Sequence, residues 1–220
     1  MEQGARTRGA VAAAGDAPGP DGAVDLGGVR VWPGFLPPVA QGAILADVLA
    51  VMEAAPPVRF RTRWGSQLSV AMTAAGRFGW TSSPKGYAYA EAQADGRPWP
   101  PIPDSVLAVW DALLPEARNP ESCLVNLYRG GARMGLHQDR DERDLAQPVL
   151  SISLGDEALF RVGGTVRGGP TASRWLRSGD VAVLGGVGRL AFHGIDRVRE
   201  GSSGLVPGGG RINLTLRVVT

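Results

Sequence analysis

At 220 residues the chain is long enough for one folded domain, with room for a short tail or a small extra lobe. Hydrophobic residues make up 44% of it, which suffices for a buried core, and no apolar run approaches the roughly 18–20 residues that span a bilayer. The formal net charge of +2 excludes a densely charged nucleic-acid coat protein. We therefore expect a globular protein, monomeric and without a membrane segment.

In chain order, residues 1–23 are rich in Ala, Gly and Pro without hydrophobic periodicity, which predicts a disordered tail before a folded domain over 24–220. The stretch 38–54 has the pattern of an amphipathic helix closed by two prolines. A second helix is predicted from about Asp104 to Leu114, before Pro115.

Short apolar segments separated by turn residues follow, and they are typical of an all-β sandwich or barrel in the second half of the chain. The predicted strands are QLSVAM, GYAYA, CLVNLY, VLSISL, ALFRVG, VAVLGG, LAFHGI and INLTLRVV. The fold class is therefore mainly β with flanking helices (α+β). The glycine-rich segment 201–210, between two of these strands, is expected to be a flexible loop.

The single cysteine, Cys123, excludes an intramolecular disulfide and favours a reducing compartment, so a cytoplasmic location is expected. It opens the apolar run CLVNLY, where a small buried side chain is expected rather than a nucleophile.

The two histidines of the sequence suggest a metal site. In an extended segment alternate side chains share a face, so His137 and Asp139 can offer an imidazole and a carboxylate to one ion. His193 is the remaining histidine and would be the third ligand. Two histidines and one carboxylate are the facial triad of non-haem Fe(II) oxygenases, although zinc accepts the same ligands. The segment HQDRDERD could also be an ordinary charged surface loop.

The C-terminal strand places its polar residues on one face. Ile212, Leu214, Leu216 and Val218 alternate with Arg211, Asn213, Thr215 and Arg217. Two arginines on one strand face, close in sequence to a candidate metal ligand, suit a dicarboxylate whose other end chelates the metal. In CLVNLY, Asn126 and Tyr128 share a face and could hydrogen-bond such an acid.

From roughly Val29 to Val218 the sequence resembles the AlkB-type alkylation-repair dioxygenases. The matching segments are SVAMT, GWTSSPKGYAY, CLVNLYRGGARMGLHQDRDE, PVLSISLG, SGDVAVLGG, RLAFHGI and RINLTLR. The resemblance implies a double-stranded β-helix (jelly-roll) core over about 121–220. It also implies an N-terminal extension with a nucleotide-recognition lid over about 24–120.

The resemblance further implies Fe(II) as cofactor, with 2-oxoglutarate and O2 as co-substrates. They would oxidise an N-methyl group on 1-methyladenine or 3-methylcytosine, releasing succinate, CO2 and formaldehyde. The implied partner is methylated single-stranded DNA, with double-stranded DNA or RNA as further possibilities.

The resemblance also assigns residues. It implies that His137, Asp139 and His193 bind iron. The residues implied to bind 2-oxoglutarate are Asn126, Tyr128, Arg211, Asn213 and Arg217, with Arg211 at the distal carboxylate and Arg217 nearer the metal. The residues implied to contact substrate are Trp80, Tyr87, Asp141 and Arg167, and Tyr89, which follows Tyr87 at strand spacing, is expected to border the same pocket. A carboxylate such as Asp141, together with aromatic faces, would favour a cationic methylated base.

The sequence departs from the family in RTRWGSQ (61–67) and in loops 164–174 and 200–210, so strand preference stays open. The same chemistry on RNA or tRNA bases, or on a protein side chain, is the nearest alternative. A non-catalytic jelly-roll binding module and a zinc hydrolase are others, but neither would need the arginine pair.

Overall fold

The structure is a computed structural model that describes residues 22–62, 65–83 and 86–220. Of the predicted tail, residues 1–21 lie outside this range, as do residues 63–64 of the segment RTRWGSQ. Among the described residues, no helix is long and apolar enough to cross a bilayer.

The described residues form two helices, α1 (Pro38–Ala54) and α2 (Asp104–Leu113). They also form the strands β1 (Val24–Leu26), β2 (Val29–Trp32), β3 (Ala71–Gly76), β4 (Gly79–Ser83), β5 (Gly86–Ala90), β6 (Ser122–Tyr128), β7 (Met134–His137), β8 (Val149–Gly155), β9 (Glu157–Val162), β10 (Ala172–Leu176), β11 (Val181–Leu184), β12 (His193–Arg199) and β13 (Arg211–Arg217). Both helices agree with the prediction to within one residue, and prolines precede and follow α1.

The strands build two main sheets and a hairpin. A seven-stranded sheet has the order β1-β2-β11-β8-β13-β6-β3, and a four-stranded sheet has the order β10-β9-β12-β7. The hairpin β4–β5 forms a separate two-stranded sheet. The segments before residue 121 thus supply β1, β2 and β3 to the large sheet, in addition to the two helices and the hairpin.

The fold has three layers: the two helices, the seven-stranded sheet and the four-stranded sheet. An apolar cluster fills each of the two spaces between them. On one face of the seven-stranded sheet, Ile152 and Leu214 pack with helix residues such as Val48 and Trp110. On its other face, Leu124 and Tyr128 pack with residues of the four-stranded sheet such as Phe160. The predicted β core with flanking helices is confirmed, and the site lies between the two sheets.

The central strand β13 pairs with β6 on one side and β8 on the other, and it is buried along its whole length because both faces of its sheet are covered. Its alternation is as predicted, since Ile212, Leu214, Leu216 and Val218 join the cluster shared with the helices. Its polar residues face the four-stranded sheet, where water does not solvate them: Arg211 is 1% exposed and Arg217 is 5% exposed. If a strand of this composition lay on the surface, water would solvate these polar groups.

The predicted starts of two strands were wrong. QLSVAM (67–72) yields a ladder only from Ala71, because Gln67 bridges to Arg61 and the Ser69 hydroxyl bonds the carbonyl of Arg133 instead of extending the strand. LAFHGI (190–195) becomes a strand only at His193, because the backbone first turns through a 3-10 segment at Gly186–Gly188.

The loop 201–210, predicted to be flexible, is tied to the core instead. The buried carboxylate of Asp156 accepts hydrogen bonds from the backbone amides of Gly201, Ser203 and Gly210 at 2.9–3.2 Å. Val206 from the same loop is 3% exposed and packs in the core. The glycines of this loop therefore allow the backbone to turn, and they do not make the loop mobile.

Candidate active site

Paired strand ends bring the predicted metal ligands together. His137, the last residue of β7, lies opposite His193, the first residue of β12, and Asp139 follows two residues after β7. Nε2 of His137 is 3.7 Å from Oδ1 of Asp139, and Nε2 of His193 is 3.8 Å from Oδ2. One ligand atom from each residue lies within 4.8 Å of the other two, a spacing that fits a single ion.

Backbone carbonyls orient both imidazoles toward the same point. Nδ1 of His137 lies 3.0 Å from the carbonyl of Gly135, and Nδ1 of His193 lies 3.0 Å from that of Ala191. Because a carbonyl only accepts, each Nδ1 carries a hydrogen, which leaves Nε2 as the ring nitrogen that can bind a metal. The three side chains therefore fit a facial-triad metal site.

The charge states of the buried groups also fit a cation. Burial, followed by the charge of nearby His137, lowers the pKa of His193 to about 4, so its imidazole is neutral at pH 7. Burial alone would raise the pKa of Asp139, but Arg217 and the two histidines outweigh it and hold that pKa well below its usual range. A neutral imidazole and a carboxylate are the forms that bind metals.

The two arginines of β13 carry unpaired donors into the same space. Arg211 donates from Nη2 to the Ser153 hydroxyl at 3.0 Å, while its buried Nε and Nη1 have no protein partner. Arg217 contacts Asp139 through Nη2 at 2.9 Å and keeps a buried, unpaired Nη1. Because unpaired buried donors are costly, they fit a ligand that brings anionic oxygens.

The remaining predicted co-substrate residues lie on β13 and on its neighbour β6. Asn126 pairs with Asn213 across β6 and β13, their amides are 3.3 Å apart, and Oδ1 of Asn126 is buried without a partner. Tyr128 is 2% exposed and its ring lies 5.2 Å from the guanidinium of Arg211. The structure thus brings all five predicted residues to one buried face.

The β4–β5 hairpin supplies two of the predicted aromatic residues. The rings of Trp80 and Tyr87 lie 5.0 Å apart, and Tyr87 is 46% exposed. Nε1 of Trp80 donates to the exposed carboxylate of Asp141 at 3.3 Å, and the ring meets Phe60 edge-on at 5.7 Å. Aromatic faces and a carboxylate therefore stand together two residues from the metal ligand Asp139.

The other two predicted substrate residues have distinct positions. The Tyr89 hydroxyl donates to Glu142 at 2.6 Å, and burial, the main cause, raises the pKa of this phenol, so it stays protonated. The guanidinium of exposed Arg167 lies 4.9 Å over the ring of Phe192, the neighbour of His193. Arg167 is therefore at the rim of the site, whereas the hydroxyl of Tyr89 is turned into a buried ion pair.

Sequence reasoning missed this ion pair. Glu142 is 6% exposed and binds Arg189 at 3.0 Å and Arg217 at 3.3 Å. Arg189 also donates to the backbone carbonyls of Asp139 and Gln147, at 2.6 and 2.7 Å. The run of acids in HQDRDERD contains Glu142, but nothing in its spacing identifies the buried member.

The chain is similar to one known family along most of its length. The model of the 2OG-Fe(II) oxygenase superfamily matches residues 28–217. An AlkB homologue from Caulobacter vibrioides, named as an alpha-ketoglutarate-dependent dioxygenase, is 59% identical over 191 residues, covering 86% of this chain and 87% of the relative. AlkB of Escherichia coli is 39% identical over 184 residues, covering 81% and 84%.

A solved structure supports the same fold. The structure of OsALKBH1 superimposes with a TM-score of 0.73 at 32% identity, covering 87% of this chain and 98% of that one. Together with the family match, this confirms the jelly-roll fold expected from the sequence.

Proposed function

We propose that this chain, which belongs to the 2OG-Fe(II) oxygenase superfamily and within it to the AlkB-type dioxygenases, repairs N-methylated bases in DNA by oxidative demethylation. It is an Fe(II)- and 2-oxoglutarate-dependent dioxygenase. Iron with 2-oxoglutarate and O2 supplies the oxidising power to hydroxylate a methyl group. The hydroxymethyl group on the base nitrogen then leaves as formaldehyde, which restores the base.

In this proposal His137, Asp139 and His193 bind the iron. Their converging ligand atoms and the protonation of both Nδ1 atoms support the assignment. Three protein ligands leave room for a bidentate co-substrate and for dioxygen. Asp139 is also held by Arg217, which fixes the direction of its carboxylate.

The arginine pair would hold 2-oxoglutarate along β13. Arg211 lies at the far end of the strand from the metal carboxylate, so its free Nε and Nη1 would bind the distal carboxylate. Arg217 contacts Asp139, so its free Nη1 would bind the keto-acid end. Asn126, Tyr128 and Asn213 lie on the same buried face and would complete the binding site.

One observation carries the choice of substrate: Trp80, Tyr87 and Asp141 form a unit of two aromatic rings and one carboxylate, and Asp141 is two residues from Asp139. An enzyme that works on a base must remove it from the stack and hold it against aromatic or apolar faces. The bases 1-methyladenine and 3-methylcytosine are cationic, so Asp141 would favour them electrostatically over normal bases. Arg167 at the rim suits a nucleic-acid phosphate.

Single-stranded DNA is the proposed preferred substrate, since its bases reach a pocket without the cost of unpairing. The test is a comparison of initial rates on one oligonucleotide sequence that carries 1-methyladenine or 3-methylcytosine, as single-stranded DNA, duplex DNA or RNA. We expect the highest rate on single-stranded DNA. A higher rate on RNA would transfer the function to RNA, and no repair of any of these by folded, iron-loaded protein would refute the proposal.

A further inference from the structure

Resting on the proposed function, we infer that Glu142 is a positioning residue that links the β4–β5 hairpin to the metal carboxylate. The link runs from Tyr89 through Glu142 and Arg217 to Asp139. As a consequence, binding of a base under the hairpin and binding of 2-oxoglutarate at the arginine strand favour each other.

The carboxylate of Glu142 joins three separate parts of the chain. Oε1 accepts from the Tyr89 hydroxyl of β5 at 2.6 Å and lies 3.3 Å from Nε of Arg217 in β13. Oε2 accepts from Nη2 of Arg189 at 3.0 Å. With only 2% of its side chain exposed, Glu142 has no water to replace a lost partner. A shift in any one partner therefore acts on the other two.

Arg217 carries the link to both ligand sites. Its guanidinium contacts Asp139 at 2.9 Å and Glu142 at 3.3 Å, and its buried Nη1 has no protein partner. A planar guanidinium moves as one body, so a carboxylate bound at Nη1 fixes the geometry of its contacts with Asp139 and Glu142 as well.

Tyr89, the residue of the hairpin that belongs to the link, pairs with one of the residues proposed to stack on the base. Trp80 lies directly opposite Tyr89 in the β4–β5 pairing, and the Trp80 indole bonds Asp141, the neighbour of Glu142. The described residues of the hairpin thus donate two hydrogen bonds to the segment 139–142, one to Asp141 and one to Glu142. Arg189 holds the other side of this segment by bonding the carbonyl of Asp139, so the segment cannot follow the hairpin freely.

Coupling between two binding sites is reciprocal, and its usual size is a factor of about 5–150 in affinity. The experiment measures the dissociation constant of 2-oxoglutarate on Fe(II)-loaded protein without oxygen, so that no turnover occurs. Each titration is done with and without a saturating single-stranded oligonucleotide that contains 1-methyladenine. We expect 2-oxoglutarate to bind wild-type protein at least about fivefold more tightly when the oligonucleotide is present.

The Tyr89→Phe variant removes one hydroxyl and keeps the ring. It should bring the affinity ratio to within about twofold of unity. Glu142→Gln should abolish the ratio in the same way. Thr81→Val is the matched control, because Thr81 bonds Ala88 within the same hairpin and does not touch the buried link. It should keep the wild-type ratio.

The coupling is refuted if the oligonucleotide leaves the 2-oxoglutarate affinity of wild-type protein nearly unchanged. It is also refuted if Tyr89→Phe keeps the wild-type affinity ratio. If Glu142→Gln fails to fold, Tyr89→Phe decides alone. The two hypotheses fail differently: protein that repairs the oligonucleotide in air but shows no Tyr89-dependent ratio refutes only the coupling. Folded, iron-loaded protein that neither binds nor repairs the oligonucleotide refutes the proposed function and the coupling with it.

Discussion

Nη2 of Arg217 donates a hydrogen bond of 2.9 Å to Oδ2 of Asp139, so a predicted co-substrate residue directly contacts a predicted metal ligand. Both side chains are almost fully buried. The pair therefore neutralises a charge that the protein interior would otherwise penalise, and it fixes the carboxylate in place. The proposed metal and 2-oxoglutarate sites are in this sense a single buried network.

The triad can be tested by removing one imidazole. His137→Ala should weaken Fe(II) binding by about 100-fold or more and abolish turnover, because among the described residues the proposed site has three ligand side chains and this variant removes one of them. Iron affinity is measured by titration and turnover by formaldehyde release. Asp95→Asn is a suitable control, since Asp95 is an exposed residue paired with Arg97. Wild-type activity in His137→Ala would rule out the triad.

Arg211 should determine the affinity for 2-oxoglutarate. Arg211→Gln removes the charged donors assigned to the distal carboxylate, and charge-assisted hydrogen bonds of this kind are worth about 1.5–3 kcal/mol. We expect the dissociation constant of 2-oxoglutarate to rise about 10- to 150-fold, measured calorimetrically, with iron affinity unchanged. Arg177→Gln, at an exposed residue paired with Glu157, is the control. An unchanged constant in Arg211→Gln would show that the distal carboxylate binds elsewhere.

The charge of Asp141 should matter more for cationic lesions than for neutral ones. Asp141→Asn should lower kcat/KM about tenfold for 1-methyladenine, in line with a partly solvated charge pair, and much less for the neutral lesion 1-methylguanine. Iron and 2-oxoglutarate binding should be retained. Asp196→Asn, which alters an exposed partner of Arg161, should have no selective effect. Equal losses on both lesions would mean that Asp141 acts through shape and not charge.

Cys123 should be chemically inert in the folded protein. Burial raises its pKa from 9.0 to about 12, so the unfolded chain loses the thiol proton first as pH rises. Burial of the protonated Cys123 thiol therefore contributes fully to the free energy of unfolding below about pH 9. Above that pH the contribution declines, by about 1 kcal/mol at pH 10. Denaturation of wild type and Cys123→Ala at pH 8 and pH 10 isolates this difference. An identical pH dependence in both proteins, or rapid alkylation of native Cys123, would contradict it.

The sequence predicted the elements whose periodicity and breakers are strong. The prolines around α1 gave its bounds, and strict alternation in β13 separated its apolar face from its polar one. His137 and His193 could be identified because the sequence has no other histidines. Their meeting across β7 and β12 is a matter of strand pairing, which the spacing suggested but did not specify.

Other features depend on tertiary contacts that leave no local pattern. The burial of Glu142 by Arg189 and Tyr89 joins residues far apart in the chain, and each of them would look ordinary on a surface. The late start of β12 follows from the turn at Gly186–Gly188. The anchoring of loop 201–210 by Asp156 likewise requires a carboxylate from a distant strand end, so its glycines alone suggested mobility.

The decisive measurement is a mass balance on wild-type protein with Fe(II), 2-oxoglutarate, O2 and a single-stranded 1-methyladenine oligonucleotide. Repaired adenine, formaldehyde and succinate should form in equal amounts, and none of the repair should occur without iron or 2-oxoglutarate. Succinate formed at the same rate with unmethylated DNA and no formaldehyde, or no turnover by folded, iron-loaded protein, would contradict base demethylation at this site.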